Sequence, residues 1–335
     1  MSLASTASAS GQAQAQAQAQ ALLPPWLHAA HQSVMGMADN QRLPHALLLR
    51  SPLGWCETSL ASVLACQILE LELSLDADEV AHPDLRWLER EEDAQSYKVE
   101  QIRDAISFMQ RTAQGNGNKV VVVPMAHRMN EASANSLLKT LEEPPPGGHW
   151  LLLCNETGQL LPTIRSRCQS VVVTPAPGLD TTGYITDLVA ANAPDVVAGI
   201  NAAELEMLQF EFLGAPELVA ASLVAEEEPV WPFLAGVLSD RNLITSIAER
   251  WNDRELAELT ASWLRYVHAL AADQLPGYAQ NSEAFTGQGA VRSSAKLYRF
   301  ADELQQARAL VTFHAGINRR LLLERLLLRW CGLFG

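Results

Sequence analysis

His45-Ala46-Leu47-Leu48-Leu49-Arg50-Ser51-Pro52-Leu53-Gly54-Trp55-Cys56-Glu57-Thr58 is the stretch that decides the fold. An apolar run leads into a turn containing proline and glycine. A helical pattern follows from Glu57 to Glu70, with Leu60, Leu64 and Ile68 on one face. Strand, glycine turn and helix is the layout of a phosphate-binding loop, whose working pattern is G-x-x-x-x-G-K-[ST]. In that pattern the glycines let backbone N–H groups close on phosphates, the lysine neutralises them, and the hydroxyl holds magnesium. Here Ser51 and Cys56 replace the two glycines, and Glu57 replaces the lysine; Gly54 and Thr58 remain. A carboxylate about 4 Å from a phosphate repels it by roughly 1 to 4 kcal/mol, and the attraction of the lysine is lost as well. Trp55 and Cys56 also bring side chains to a loop that needs bare backbone. The layout is kept and the chemistry is gone.

Further along, the same pattern continues. Val120 to Val123 is a continuous β-branched run, as in a strand buried on both faces. The residues after it, Met125-Ala126-His127-Arg128, supply no carboxylate to hold magnesium through water. Ile102, Ala105, Ile106 and Met109 form one helical face. Asn130 is placed to cap a second helix carrying Ala134, Leu137, Leu138 and Leu141, which must end by Pro144-Pro145-Pro146. Trp150 to Cys154 and Ser170 to Val173 read as strands. Short apolar strands alternating with amphipathic helices predict an α/β region with a mainly parallel sheet from Trp26 to about Val173. After Pro175-Ala176-Pro177 helical periodicity takes over, so the expected class is α/β followed by all-α. Domain boundaries are expected near 175 and near 225, where Glu226-Glu227-Glu228-Pro229 interrupts the pattern. Residues 1–21, rich in Ala, Ser and Gln, are expected to be a disordered tail. The segment from Gln280 to Ser294 reads as a loop. Asn318 to Phe334 is leucine-dense nearly all round, which fits either a core helix or one packed against partner subunits.

Composition sets the outer limits. The chain has 335 residues, 48% of them hydrophobic, and Lys+Arg 24 against Asp+Glu 38 gives a net charge of -14. The only lysines are Lys98, Lys119, Lys139 and Lys296. A protein that grips nucleic acid alone shows a basic face, so a DNA-binding adaptor is disfavoured and any DNA contact is expected through a complex. Cys56, Cys66, Cys154, Cys168 and Cys331 form no C-x-x-C pair, which argues against a disulfide framework or a four-thiolate zinc site. The first basic residue is Arg42, and no apolar run nears the roughly 18 residues of a membrane span. A cytoplasmic protein without a membrane role is expected.

Specific motifs sharpen this. Asn135-Ser136-Leu137-Leu138-Lys139-Thr140-Leu141-Glu142-Glu143-Pro144-Pro145 resembles the A-N-A-L-L-K-T-L-E-E-P-P signature of AAA+ clamp-loader subunits of bacterial DNA polymerase III. Leu161-Pro162-Thr163-Ile164-Arg165-Ser166-Arg167-Cys168 is similar to that family's Ser-Arg-Cys segment. Arg42-Leu43-Pro44-His45-Ala46-Leu47-Leu48, His82-Pro83-Asp84-Leu85 and Gly316-Ile317-Asn318-Arg319 match further family segments in the same order. The degenerate loop and the C-terminal match favour a non-motor subunit.

The resemblance implies an AAA+ α/β domain over residues 22–175, a small helical lid over 176–225 and a helical collar over 226–335. It also implies a hetero-pentameric ring with motor (tau/gamma) subunits and a delta subunit, acting on the sliding clamp and primed DNA. Any polymerase label then describes the holoenzyme, since the chain itself shows no polymerase site. Within that frame Arg167 is expected to reach the ATP site of a neighbouring subunit, with Ser166 and Cys168 shaping its loop and Arg165 a weaker candidate. Guanidinium suits the task, being always charged and able to fork onto phosphate oxygens. Asn155 and Glu217 occupy positions that sense the γ-phosphate in active relatives, and Glu217 replaces the expected arginine. Lys139, Glu142 and Glu143 read as helix-end charges or as contacts with clamp or neighbour. His45 reads as a hydrogen-bonded residue at a strand edge, and Cys66 and Cys154 as small buried hydrophobes. The family's zinc module has no counterpart between Cys66 and His82, so no metal and no cofactor are expected. The competing enzyme reading is a divergent P-loop NTPase using Thr58 or Ser59.

Overall fold

The computed structural model describes residues 16–39, 42–89, 96–155, 160–280, 294–313 and 318–334. Most of the Ala/Gln tail, the segment 281–293 and the Gly316-Ile317 pair lie outside them. Two compact units result, Met1–Leu179 and Asp180–Gly335, and each is described by itself.

The first unit is built on five parallel strands: β1 (Ala46–Ser51), β2 (Leu85–Trp87), β3 (Lys119–Val123), β4 (Gly148–Asn155) and β5 (Gln169–Val172). Their spatial order is β2-β3-β4-β1-β5. β3 is buried along its whole length, as its unbroken valines require. Ala46 and Leu48 of β1 share one core with Val121, Val123, Trp150 and Leu152. That core is closed by Ile102 and Ala105 of α3 (Val99–Met109), Leu137 and Leu141 of α4 (Glu131–Glu142), and Ile164 of α5 (Pro162–Arg165). α1 (His28–Asp39) comes before β1, and alternation along β1 turns Leu47 and Leu49 to the opposite face, where α2 (Glu57–Leu69) lies against β1, β3 and β4. Asn130 caps α4, its side-chain oxygen accepting the Ser133 N–H at 2.8 Å. After the prolines, Gly147 takes φ +70, and a Cβ there would stand 2.2 Å from the Gly117 carbonyl oxygen. Only glycine fits that approach.

Two elements differ from the sequence reading. β2 went unread, because three half-buried residues carry no alternation. The Gln-Ala tract was expected to be disordered to residue 21, yet residues 16–22 are helical and Ala19 is fully buried. Alanine and glutamine are good helix formers, and one buried alanine anchors the turn.

Asp84 of the His-Pro-Asp segment ties the edge strand to the turn before β3. Its buried carboxylate accepts N–H groups from Gln114 at 2.9 Å and Gly115 at 2.7 Å, and the Lys119 ammonium at 3.1 Å. Lys119 also sits 4.1 Å from the centre of the Phe108 ring. Burial works against the charged carboxyl, but the donors from Gly115, Lys119 and Gln114 outweigh it and hold its pKa below the usual range.

The second unit is helical and contains two clusters. Ile185 and Val189 of α6 (Thr182–Asn192) pack with Leu205 and Leu208 of α8 (Ala202–Glu211) and Val219 and Leu223 of α9 (Pro216–Val224); α7 (Pro194–Val197) links α6 to α8. The larger cluster joins α10 (Trp231–Ser239), α11 (Leu243–Arg250), α12 (Leu256–Ala271), α13 (Gly277–Gln280), α14 (Ser294–Phe313) and α15 (Arg319–Phe334). Its centre is aromatic: Trp263 lies 5.8 Å from Trp251, 5.5 Å from Phe300 and 6.1 Å from Trp330. α15 buries Leu323, Leu326, Leu327 and Trp330 while Leu321 and Leu328 remain 60% and 58% exposed. The leucine-dense helix therefore serves the core, with two leucines left exposed on either side of Glu324 and Arg325.

Glu211, at the end of α8, is buried and accepts hydrogen bonds from Val230 N at 2.7 Å, Trp231 N at 3.3 Å and the Tyr266 hydroxyl at 2.9 Å. Burial nevertheless raises its pKa.

Removing the Asp84 carboxylate leaves a buried ammonium. Asp84→Ala is expected to cost about 3 to 5 kcal/mol in urea unfolding. The depressed pKa makes this contribution present above pH roughly 4 and lost as pH falls further. Glu211 has the opposite sign. Its folded pKa exceeds the unfolded one, so the folded state holds the proton longer and stability declines as pH rises through that interval. Thermal melts of Glu211→Gln are therefore expected to improve relative to the parent chain on going from pH 4 to pH 8; an unchanged difference would contradict the assignment.

Candidate functional site

β1 ends at a loop folded around its own side chains. Gly54 takes φ +77, a conformation open to glycine. Cys56 takes φ +64 at the start of α2, a left-handed conformation costing a non-glycine residue about 1 to 3 kcal/mol. Its side chain is fully buried, and Trp55 is 7% exposed. The Trp26 indole N–H donates to the Trp55 carbonyl at 3.2 Å, and the two rings meet edge to face at 5.7 Å. Ser51 is buried, its hydroxyl donating to the Pro52 carbonyl at 3.1 Å. Glu57 lies half-buried in the first turn of α2, where the helix dipole favours a negative charge. A carboxylate thus occupies the helix end at which a phosphate would be held. Thr58 is exposed. Asn155 pairs in register with Ser51, which places it beside this loop, whereas Glu217 lies in the second unit, in the first turn of α9.

After β3, Met125 turns at φ +44 into a short 3-10 turn, Ala126–Arg128. His45 donates through Nε2 to the Leu141 carbonyl at 2.9 Å, joining the start of β1 to the end of α4. Cys66 and Cys154 are buried.

The Ser-Arg-Cys segment follows α5, a single turn started by Pro162. Its turn closes through Ser166 N to Pro162 O at 3.0 Å and Arg167 N to Ile164 O at 3.0 Å. Arg167 donates to the Thr163 carbonyl at 2.9 Å and forms an ion pair with Glu142 at the end of α4. Ser166 donates to the same Thr163 carbonyl at 3.0 Å. Two segments that looked independent in sequence, one ending in Glu142-Glu143 and one carrying Arg167, are therefore joined by a charged contact. The Arg167 and Glu142 side chains stay 34% and 50% exposed, so the pair contributes about 0 to 1 kcal/mol and can exchange. Lys139 is exposed in the last turn of α4, where a cation suits the helix dipole. Cys168 packs against the core formed by Leu137, Leu141 and Ile164, and burial pushes its thiol up to about 12.

The family model for "DNA polymerase III, delta subunit" matches residues 27–177. The DNA polymerase III subunit delta' of Pseudomonas aeruginosa is 32% identical over 329 residues, covering 93% of this chain and 98% of its own length. The chain belongs to the DNA polymerase III delta-prime family. The Yersinia pestis delta' subunit is 39% identical over 155 residues, 43% of this chain and 46% of that relative. A solved gamma-subunit-related protein from Thermotoga maritima is 17% identical with a TM-score of 0.49, covering 87% of this chain and 95% of its own. The five-stranded parallel sheet followed by a helical unit is the α/β then all-α order expected from the sequence.

Among the described residues of this delta-prime chain, no group of three His, Cys, Asp or Glu side chains stands where it could hold a metal ion. No helix among them is long and apolar enough to cross a membrane. The sequence reading missed Trp26 as the partner of Trp55, because 29 residues of separation leave no local pattern. It also left Glu142 without a partner, although the acidic pair Glu142-Glu143 at a helix C-terminus, where the dipole disfavours it, was a readable signal.

A thiol titrating near 12 is almost wholly protonated at neutral pH. Cys168 is therefore expected to react slowly with a disulfide reagent at pH 8 in the folded chain. Labelling traces of the parent and Cys168→Ala should coincide until denaturant is added.

Proposed function

We propose that this chain is a non-catalytic subunit of the DNA polymerase III clamp loader, without ATP turnover of its own, that supplies Arg167 to the ATP site of a neighbouring subunit. The observation that carries this reading is the contrast between two loops. The phosphate loop is occupied by Trp55, Cys56 and Glu57 and covered by Trp26, while Arg167 is presented half-exposed beside an exchangeable carboxylate. The proposed setting, which family membership supports without showing, is a cytoplasmic hetero-pentameric ring of motor (tau/gamma) and delta subunits that places the sliding clamp on primed DNA.

In this reading the AAA+ domain spans 22–175, a helical lid 176–225 and a collar 226–335. The two apolar clusters of the second unit, meeting at Glu211, fit the latter division. Thr163, Ser166 and Glu142 orient the guanidinium. When a neighbour's nucleotide comes close, Arg167 exchanges one carboxylate for the more highly charged phosphate oxygens. An arginine supplied in trans is worth about 10³ to 10⁵ in rate at the site it enters.

The test is the clamp- and DNA-stimulated ATPase of a loader reconstituted with its motor subunits, after each variant has been shown to assemble. Arg167→Ala is expected to lower turnover at least tenfold at the neighbouring site, and Glu57→Ala to change it little. A silent Arg167→Ala would remove the proposed role. Saturable ATP binding by the isolated chain that Glu57→Lys strengthens would point instead to a divergent NTPase.

A further inference from the structure

A second cationic feature lies beside the Ser-Arg-Cys segment and is used by nothing described so far. An open cavity of about 420 Å³ is lined by Leu48, Arg50, Pro162, Arg165, Ser166 and Ser170. Strand register explains the convergence. Leu48 and Arg50 face the same side of β1, and Ser170 on the edge strand β5 pairs with Leu48, so its side chain faces that side too. α5 covers the sheet there through buried Ile164, and brings Arg165 and Ser166 to the rim. Both guanidiniums act on the thiol of Cys154 in β4: burial raises its pKa, and Arg50 and Arg165 pull against that rise. Two cations therefore share one small region.

Neither arginine has a carboxylate partner among the described residues, in a chain with 38 acidic side chains and a net charge of -14. Where cations are outnumbered so heavily, two left together without partners mark a place built for an external anion. We propose that Arg50, Arg165 and Ser170 form a binding site for a phosphate dianion, either inorganic phosphate or the terminal phosphate of a nucleotide. Charge selects the ligand. Two guanidiniums match a group carrying about -1.5 to -2, whereas a single carboxylate would leave one cation unbalanced. The Ser170 hydroxyl adds a neutral donor, and Leu48 and Pro162 line the rest of the cavity. The Ser166 hydroxyl already donates to Thr163, so Ser166 shapes the rim. Arg50 directly precedes Ser51, but the site uses none of the loop residues Ser51 to Thr58 and does not depend on the role given to Arg167.

The test is calorimetric titration of the full chain with inorganic phosphate at constant ionic strength, with sodium chloride as the control anion. A saturable isotherm is expected, weakened at least tenfold by Arg165→Ala and abolished by Arg50→Ala/Arg165→Ala. Arg165 is exposed, so its replacement leaves the core intact, and a circular dichroism melt checks the double variant. A parallel titration with ATP separates the sources: tighter binding than phosphate, lost in Arg165→Ala, assigns a nucleotide's terminal phosphate, and equal binding assigns the free ion. Overlapping phosphate isotherms for the parent and both variants, or a chloride isotherm equal to that of phosphate, would overturn the site.

Discussion

The central pairing of β1 with β4, six residue pairs from Ala46↔Trp150 to Ser51↔Asn155, is the constraint on which the first unit depends. It is parallel and buried, so it tolerates little but aliphatic side chains and pushes every polar element to the strand ends. The degenerate loop, Asn155 and Arg50 all gather at the C-terminal end of this pairing as a result. β5 hydrogen-bonds to the other side of β1 in parallel, and the Ser-Arg-Cys turn that precedes it therefore lies at the opposite, N-terminal end, beside the end of α4. The frame is held by strand pairing and does not rely on the residues of the loop.

What fills the loop is local and physical. The glycines of a working loop leave room for an anion; here an indole, a thiol and a carboxylate fill the same turn. The left-handed Cys56 has the backbone of a glycine position and none of its bareness. Burial of the Cys56 side chain and the Trp26–Trp55 contact offset the cost of that conformation. Glu57 then supplies from within the chain the negative charge that the helix terminus favours.

Much of this was legible in the residues. Unbroken valine and leucine runs marked β1, β3 and β4, and Asn130 marked the start of α4, because burial and capping leave local signatures. The loop was readable as degenerate from Ser51, Cys56 and Glu57 alone. What escaped was non-local. Trp26 over Trp55, Glu142 against Arg167, and Arg50 beside Arg165 are contacts between side chains far apart in sequence, set by strand order. β2 was too short to show a period. The helix at 16–22 was hidden by a composition that suits tails and helices equally, with Ala19 as its buried anchor.

The ion pair of Arg167 with Glu142 has a kinetic side. A bare guanidinium on a surface is hydrated and samples many rotamers, and each productive encounter must first gather it. Bound to Glu142 and Thr163, the side chain has already given up most of that freedom. Leaving costs little, since both partners face water and rehydrate as they part. The chain thus keeps this cation in a shallow well, held but exchangeable. For the proposed role, the arm's speed is then set by ion-pair exchange in water, and the folded body behind it can stay still.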